Sequence, residues 1–191
     1  MTLLQVMADG AAADVRLRTD NPAEIETELA GRGIRFDRWP AQPGRTATAS
    51  AAEILDAYGD RISALNAGGR YRVIDVARLH PDDQDPGWAA TAKAARDTFR
   101  SEHRHAEDEV RFFAAGRGCF YLHLPGEVVA VVCEEGDLLS VPAATRHWFD
   151  MGERPDFVAI RFFEQQGGWI GDFTGDPIAT RFPTLDELVA A

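Results

Sequence analysis

His103, His105, Glu109 and His147 are the residues of this sequence best suited to chemistry. Three imidazoles and one carboxylate make a donor set for a divalent transition metal. Imidazole suits iron, nickel, copper and zinc, and the carboxylate adds a hard anionic oxygen. Four protein donors on a six-coordinate ion leave two positions for water or substrate. Such a centre keeps a net positive charge and attracts an anionic chelator. Arg111, two residues after Glu109, adds a fixed cation that stabilises a deprotonated enol or enediolate oxygen. The residue types point first to a metal-dependent enzyme.

These side chains need rigid elements to bring them together. Strand side chains alternate faces with period two, so His103 and His105 share a face if extended, as do Glu109 and Arg111. The Ala106-Glu107-Asp108 segment between the pairs has room to bend. His147 and Phe149 share a face of a later strand, and antiparallel pairing would bring His147 opposite the first cluster. Among the aromatic candidates for a water-excluding wall, face parity selects Phe113 and Phe149 over Phe112.

After Phe99, short apolar stretches alternate with turn signals. Strands are predicted over Glu109–Ala115, Cys119–Leu124, Val128–Cys133, Leu138–Pro142, Arg146–Met151 and Phe157–Phe163, with turns at Gly116–Gly118, Pro125-Gly126 and Glu134–Gly136. This pattern predicts a β-sandwich or barrel. The N-terminal part reads as mixed and partly helical. Helices are predicted over Pro22–Gly31, capped by Asn21, over Ser50–Leu65 and over Trp88–Phe99, with strands at Gly33–Trp39 and Tyr71–Arg78. Leu185–Val189 reads as a short terminal helix. The fold class expected is mainly β, a barrel with N-terminal helical decoration, in one domain over residues 1–191.

Each candidate has a plainer reading. A lone His-x-His pair is common on solvent-facing strands. His80, before Pro81 in a loop, and His123, in an apolar strand, read as structural, and Cys119 and Cys133 read as reduced core thiols. Trp169, beside Gly167-Gly168, is either a core plug or a lid on the pocket.

Bulk properties narrow the partners. A net charge of −11 excludes broad binding to a nucleic-acid backbone. No stretch approaches a membrane span, no secretory signal is visible, and two cysteines are too few for a disulfide framework. A cytoplasmic protein is expected.

The spacing His103-x-His105-x-x-x-Glu109, then Gly116, resembles the first cupin motif, and Gly136-Asp137, Pro142 and His147-Trp148-Phe149 resemble the second. Within the cupins, "SEHRHAEDEVRFF" and "GDLLSVPAATRHWFDMG" are similar to the acireductone dioxygenase family of methionine salvage, a similarity that extends to "FVAIRFF" and a tryptophan-bearing C-terminal loop. The resemblance implies a jelly-roll barrel, one Fe(II) or Ni(II) per chain, and a monomer acting on the acireductone 1,2-dihydroxy-3-keto-5-methylthiopentene with O2. It implies formate and 4-methylthio-2-oxobutanoate from the iron form, and formate, carbon monoxide and 3-methylthiopropanoate from the nickel form.

Carried over by motif, the resemblance makes His103, His105, Glu109 and His147 the ligands and Arg111 the group that holds the substrate dianion. It implies a second substrate-facing arginine at Arg161, a part in metal incorporation for Glu102 and a relay of local conformational change for Asp108. Phe149 as an apolar wall and Trp169 as a pocket lid are the further substrate-contact candidates read from the sequence itself. For Arg161 the plain alternative is a strand-surface arginine. The sequence departs from the general cupin pattern at Asp97, Ala144 and Met151, where glycine, glycine and asparagine are usual. Two other functions compete: a different metal cupin, such as another small-molecule dioxygenase or a sugar-phosphate isomerase, and a non-catalytic cupin binding module.

Overall fold

The computed structural model describes residues 1–42, 49–168 and 170–191. In chain order the elements are β1 (Leu3–Ala8), β2 (Ala11–Thr19), α1 (Pro22–Gly31), β3 (Arg35–Arg38), α2 (Ala51–Ala57), α3 (Gly59–Leu65), β4 (Val73–Leu79) and α4 (Trp88–Phe99). They continue with β5 (His103–Arg104), β6 (Glu109–Leu124), β7 (Glu127–Glu134), β8 (Asp137–Val141), β9 (Arg146–Asp150), β10 (Phe157–Phe163), β11 (Asp172–Phe173), a 3-10 turn at Pro177–Arg181 and α5 (Leu185–Ala190).

The strands pair antiparallel in two sheets that share β6. One sheet runs β11-β5-β9-β6-β7-β1-β2, and the other runs β4-β10-β6-β8-β3. The first half of β6 pairs with β10 and β8, and the second half, from Arg117, pairs with β7 and β9. Facing side chains of both sheets, among them Leu4, Val131, Phe120, Leu139 and Phe157, join in one buried cluster. This is the barrel interior expected of a jelly roll.

The outer faces are covered as well. Met7, Tyr121, Val128, Ala130, Val132 and Trp148 pack against Ile178, Phe182, Leu185 and Leu188 of the C-terminal segment. Val110, Phe112, Leu138 and Ile160 pack against Trp39, Ile54 and Tyr58 on the other side. Burial on both faces explains why β7 reads Val-Val-Ala-Val-Val-Cys with no polar alternation.

Most predicted elements appear with small shifts at their ends. α1 is capped as expected, with Asn21 Oδ1 accepting from the Ala23 and Glu24 N–H groups at 3.0 and 3.3 Å. Three features differ. The Ser50–Leu65 helix is broken at Tyr58, which leaves helical geometry (φ −107°, ψ 12°) just before Gly59, a weak helix former. The Gly116–Gly118 turn is instead the midpoint of β6, where the strand passes from one sheet to the other. Gly116 has φ +67°, and a Cβ there would collide with the Asp156 carbonyl. Finally, the first residues form the β1–β2 hairpin, which carried no strand prediction. β1 is buried throughout and shows no alternation, while β2 is an exposed edge strand.

Candidate metal centre

The four candidate ligands meet where the two sheets join, with His103 and His147 on the sheet of β5 and β9, Glu109 on the half of β6 that pairs with β8, and His105 on the bend between β5 and β6. His103 on β5 stands directly opposite His147 on β9, and His147 in turn faces Leu122 on β6. Glu109 opens β6, opposite Val141 of β8. His105 lies just past β5, at the start of the bend that leads to Glu109. One donor atom from each of His103, His105, Glu109 and His147 lies within 4.8 Å of all the others. The expected opposition of His147 to the first cluster is thus a register pair, His103 with His147.

Each imidazole is oriented by the backbone. Nδ1–H of His103 donates to the Ser101 carbonyl at 2.7 Å, that of His105 to the Ile170 carbonyl at 2.9 Å, and that of His147 to the Thr145 carbonyl at 2.8 Å. A carbonyl only accepts, so Nδ1 carries a proton in all three rings and Nε2 is the atom that faces the cluster, as donor to Glu109 while protonated and as metal ligand once that proton is displaced. Nε2 of His147 and of His105 lie 2.7 and 3.2 Å from the same oxygen of Glu109, Oε2. The other oxygen, Oε1, is 2.7 Å from an Arg111 Nη2.

Electrostatics agree with a cation site. Burial, reinforced by neighbouring His147, lowers His103 to about 4, so its ring is neutral near pH 7 as a metal ligand must be. Burial pushes the Glu109 carboxyl up, but Arg111 and the hydrogen bonds from His105 and His147 outweigh it and hold the group well below its ordinary range. For His105 burial opposes the charge, yet the hydrogen bond and charge of Glu109 raise it. The carboxylate field that favours a proton on His105 favours a divalent cation in the same place. Burial lowers Arg111, but a guanidinium beside an ionised carboxylate stays charged. The donor set, its fixed tautomers and its charge therefore fit a divalent metal.

The cluster opens on a cavity of about 260 Å³. His103, Glu109, Arg111, Arg161 and Arg78 supply its polar lining, and Phe113, Phe120, Phe149 and Phe157 much of its apolar lining. The Phe149 ring lies 4.8 Å from that of Phe120 and 5.9 Å from that of Phe157. Phe112 points to the opposite face of its sheet and stacks on Trp39 at 4.5 Å, as face parity required. Gly118 makes room for the Phe149 ring, because a Cβ there would overlap it.

The remaining predicted residues fall into distinct places. Arg161 lines the cavity, but both of its hydrogen bonds among the described residues go to Asp75, at 2.7 Å each. Glu102 is buried behind His103, bonded to His123 Nδ1 at 2.5 Å and accepting from the Thr174 hydroxyl at 2.6 Å. Asp108 accepts from the Ala143 N–H and from Arg70, both at 2.8 Å. Trp169 lies outside the described residues. His80 pairs with Asp156 at 2.6 Å, away from the cluster. Three carbonyls, Gly118 and Asp75 went unnoticed in the sequence. Backbone carbonyls leave no residue signature, whereas a glycine inside a strand pattern is itself a sign of close approach.

Comparison with known proteins follows the same line. The ARD/ARD′ family matches residues 4–171. Acireductone dioxygenase 2 of Nocardia farcinica is 68% identical over 191 residues, covering the whole of both chains. Acireductone dioxygenase 1 of the same organism is 56% identical, covering 99% of this chain and all of its own. A solved acireductone dioxygenase from Bacillus anthracis, with a cadmium ion in its active centre, superimposes with a TM-score of 0.75 at 27% identity. The match covers 91% of this chain and 98% of that one.

Proposed function

The chain belongs to the acireductone dioxygenase family, ARD/ARD′, and on that premise we propose that His103, His105, Glu109 and His147 hold one Fe(II) or Ni(II) per chain for the oxidative cleavage of 1,2-dihydroxy-3-keto-5-methylthiopentene. The observation that carries this reading is the convergence of three carbonyl-anchored imidazoles and one carboxylate beside an aromatic cavity that also holds Arg111.

When bound, the ion supplies Lewis-acid polarisation and a template for two neighbouring substrate oxygens. The chain's own residues do the rest. Arg111, mostly shielded from solvent beside Glu109, favours the doubly deprotonated substrate by placing a fixed positive charge at its oxygens. Phe113, Phe120, Phe149 and Phe157 exclude water and receive the apolar tail. Glu102 and Asp108 hold the backbone on either side of the ligand pair, one through His123 and Thr174, the other through Ala143 and Arg70. Those contacts support parts in metal incorporation and in relaying local change. Arg161 belongs to the cavity wall, and we retain Trp169 as a substrate-facing candidate.

We take residues 1–191 as one catalytic unit, a cytoplasmic monomer. Both cysteines are free and buried, and no described helix is long and apolar enough to cross a membrane. The test is O2 uptake and product identification with the protein loaded separately with Fe(II) and Ni(II). Formate with 4-methylthio-2-oxobutanoate is expected from the first, and formate, carbon monoxide and 3-methylthiopropanoate from the second. Conversion of substrate without O2 uptake would point to an isomerase and overturn the reading.

A further inference from the structure

Of the arginines on the cavity wall, Arg111 and Arg161 stack on one ring, yet they have different carboxylate partners. Arg111 on β6, Arg161 on β10 and Asp75 on β4 stand in one row across three adjacent strands, each directly opposite the next. Both guanidinium carbons lie over the Phe163 ring, at 5.1 Å for Arg111 and 5.3 Å for Arg161. Arg111 pairs with Glu109 at 2.7 Å. Arg161 makes a two-pronged pair with Asp75, Nε to one oxygen and Nη2 to the other, at 2.7 Å each. Asp75 does not line the cavity, and Glu109 is the one carboxylate among the residues that do.

This geometry sets up a competition. An Arg161 released from Asp75 has one carboxylate within its own cavity to turn to, and it is the ligand Glu109. A guanidinium on each oxygen of Glu109 would occupy the lone pairs that a cation needs, and would add a positive charge next to it. We propose that Asp75 is a positioning residue that sequesters Arg161 and so keeps the second oxygen of Glu109 available to the metal. The inference rests on the metal-centre reading above and adds a residue outside the cavity to it. The register of the sheet makes the pairing directional: Asp75 sits at the outer end of the row, so it draws Arg161 away from the cluster.

The test is metal affinity, read without turnover. Co(II) is titrated into the metal-free protein and its visible absorbance followed. The wild type is expected to bind with the spectrum of a site built from nitrogen and oxygen donors. Asp75→Asn is expected to weaken binding about tenfold and to alter the spectrum, the scale of coupling between neighbouring charged groups. Adding Arg161→Gln to Asp75→Asn is expected to return the affinity to within about twofold of the wild type. A purely structural role for Asp75 would give no such rescue, since the double variant has lost both partners. Weak binding that Arg161→Gln fails to rescue, or an Asp75→Asn variant with wild-type affinity, overturns the proposal. A wild type that binds no Co(II) overturns instead the metal-centre reading, and the two failures are thereby distinct.

Discussion

The N–H of Ala144 donates to the carbonyl of His105 at 2.9 Å. Its neighbour Ala143 donates to Asp108 Oδ1 at 2.8 Å. The turn between β8 and β9 therefore grips both ends of the bend that separates His105 from Glu109, and it also leads into His147. The turn carries strain: Ala144, at φ +61°, is the one non-glycine residue of positive φ among the described residues.

Ala144→Gly should relieve that strain. The left-handed conformation is easy for glycine and costly for alanine, and the gain exceeds glycine's greater freedom in the unfolded chain. Urea denaturation of the metal-free protein should show a stabilisation of about 1 kcal/mol with an unchanged slope. A loss of stability would mean that the methyl group's packing outweighs the backbone cost.

Arg111→Ala tests the charge at the centre. The side chain is nearly inaccessible and faces Glu109 at 2.7 Å, so its loss removes the fixed cation beside the substrate oxygens. Loss of one preorganised electrostatic contact of this kind costs about 10²–10³-fold in kcat. Substrate bound anaerobically should show a much weaker dianion absorbance than in the wild type. Full absorbance in the variant would remove Arg111 from the role assigned to it.

Gly118→Ala tests how the aromatic wall is seated. The added methyl would occupy the space of the Phe149 ring. Overpacking of this kind costs about 1–3 kcal/mol, and here it also pushes a ring into the cavity. Thermal unfolding should show the lowered stability, and steady-state kinetics a reduced kcat/KM. Phe149→Ala in the same chain should recover most of the stability. An additive double variant would show that Gly118 is needed for β6 itself rather than for Phe149.

How far the sequence could be read depended on where the information lay. The ligands were legible because His103, His105, Glu109 and His147 combine a rare residue type with a fixed spacing, and strands impose parity on the side chains that flank them. The same parity separated Phe113 and Phe149, which line the cavity, from Phe112, which stacks on Trp39. The β1–β2 hairpin was not legible, since β1 is buried on both faces and β2 is an edge. Arg161 was marked as facing the cavity, but its partner lies 86 residues away on a strand whose pairing no local pattern reveals. Ala144 was visible as a departure from glycine, and the structure supplies its meaning as a strained turn against His105.

Asp150 offers a test of how the helices are held to the barrel. Its carboxylate is fully buried at the end of β9 and accepts from Arg96 of α4 at 2.7 and 3.1 Å, and from the Gly152 and Leu185 N–H groups at 3.0 Å each. Burial pushes its pKa up, but Arg96 and the two backbone donors outweigh this and lower it below the ordinary aspartate value. The folded protein thus binds the proton less readily than the unfolded chain does. The group's contribution to stability is present in full above its unfolded value and is lost as pH falls through the folded one. Asp150→Asn breaks the buried pair and should destabilise the protein by about 3–5 kcal/mol near neutral pH. The gap between wild type and variant, measured by urea denaturation across a pH series, should narrow only below the ordinary aspartate range. A gap that narrows already near neutrality, or one that persists undiminished into strong acid, would show that ionised Asp150 is not what ties α4 and the start of α5 to β9.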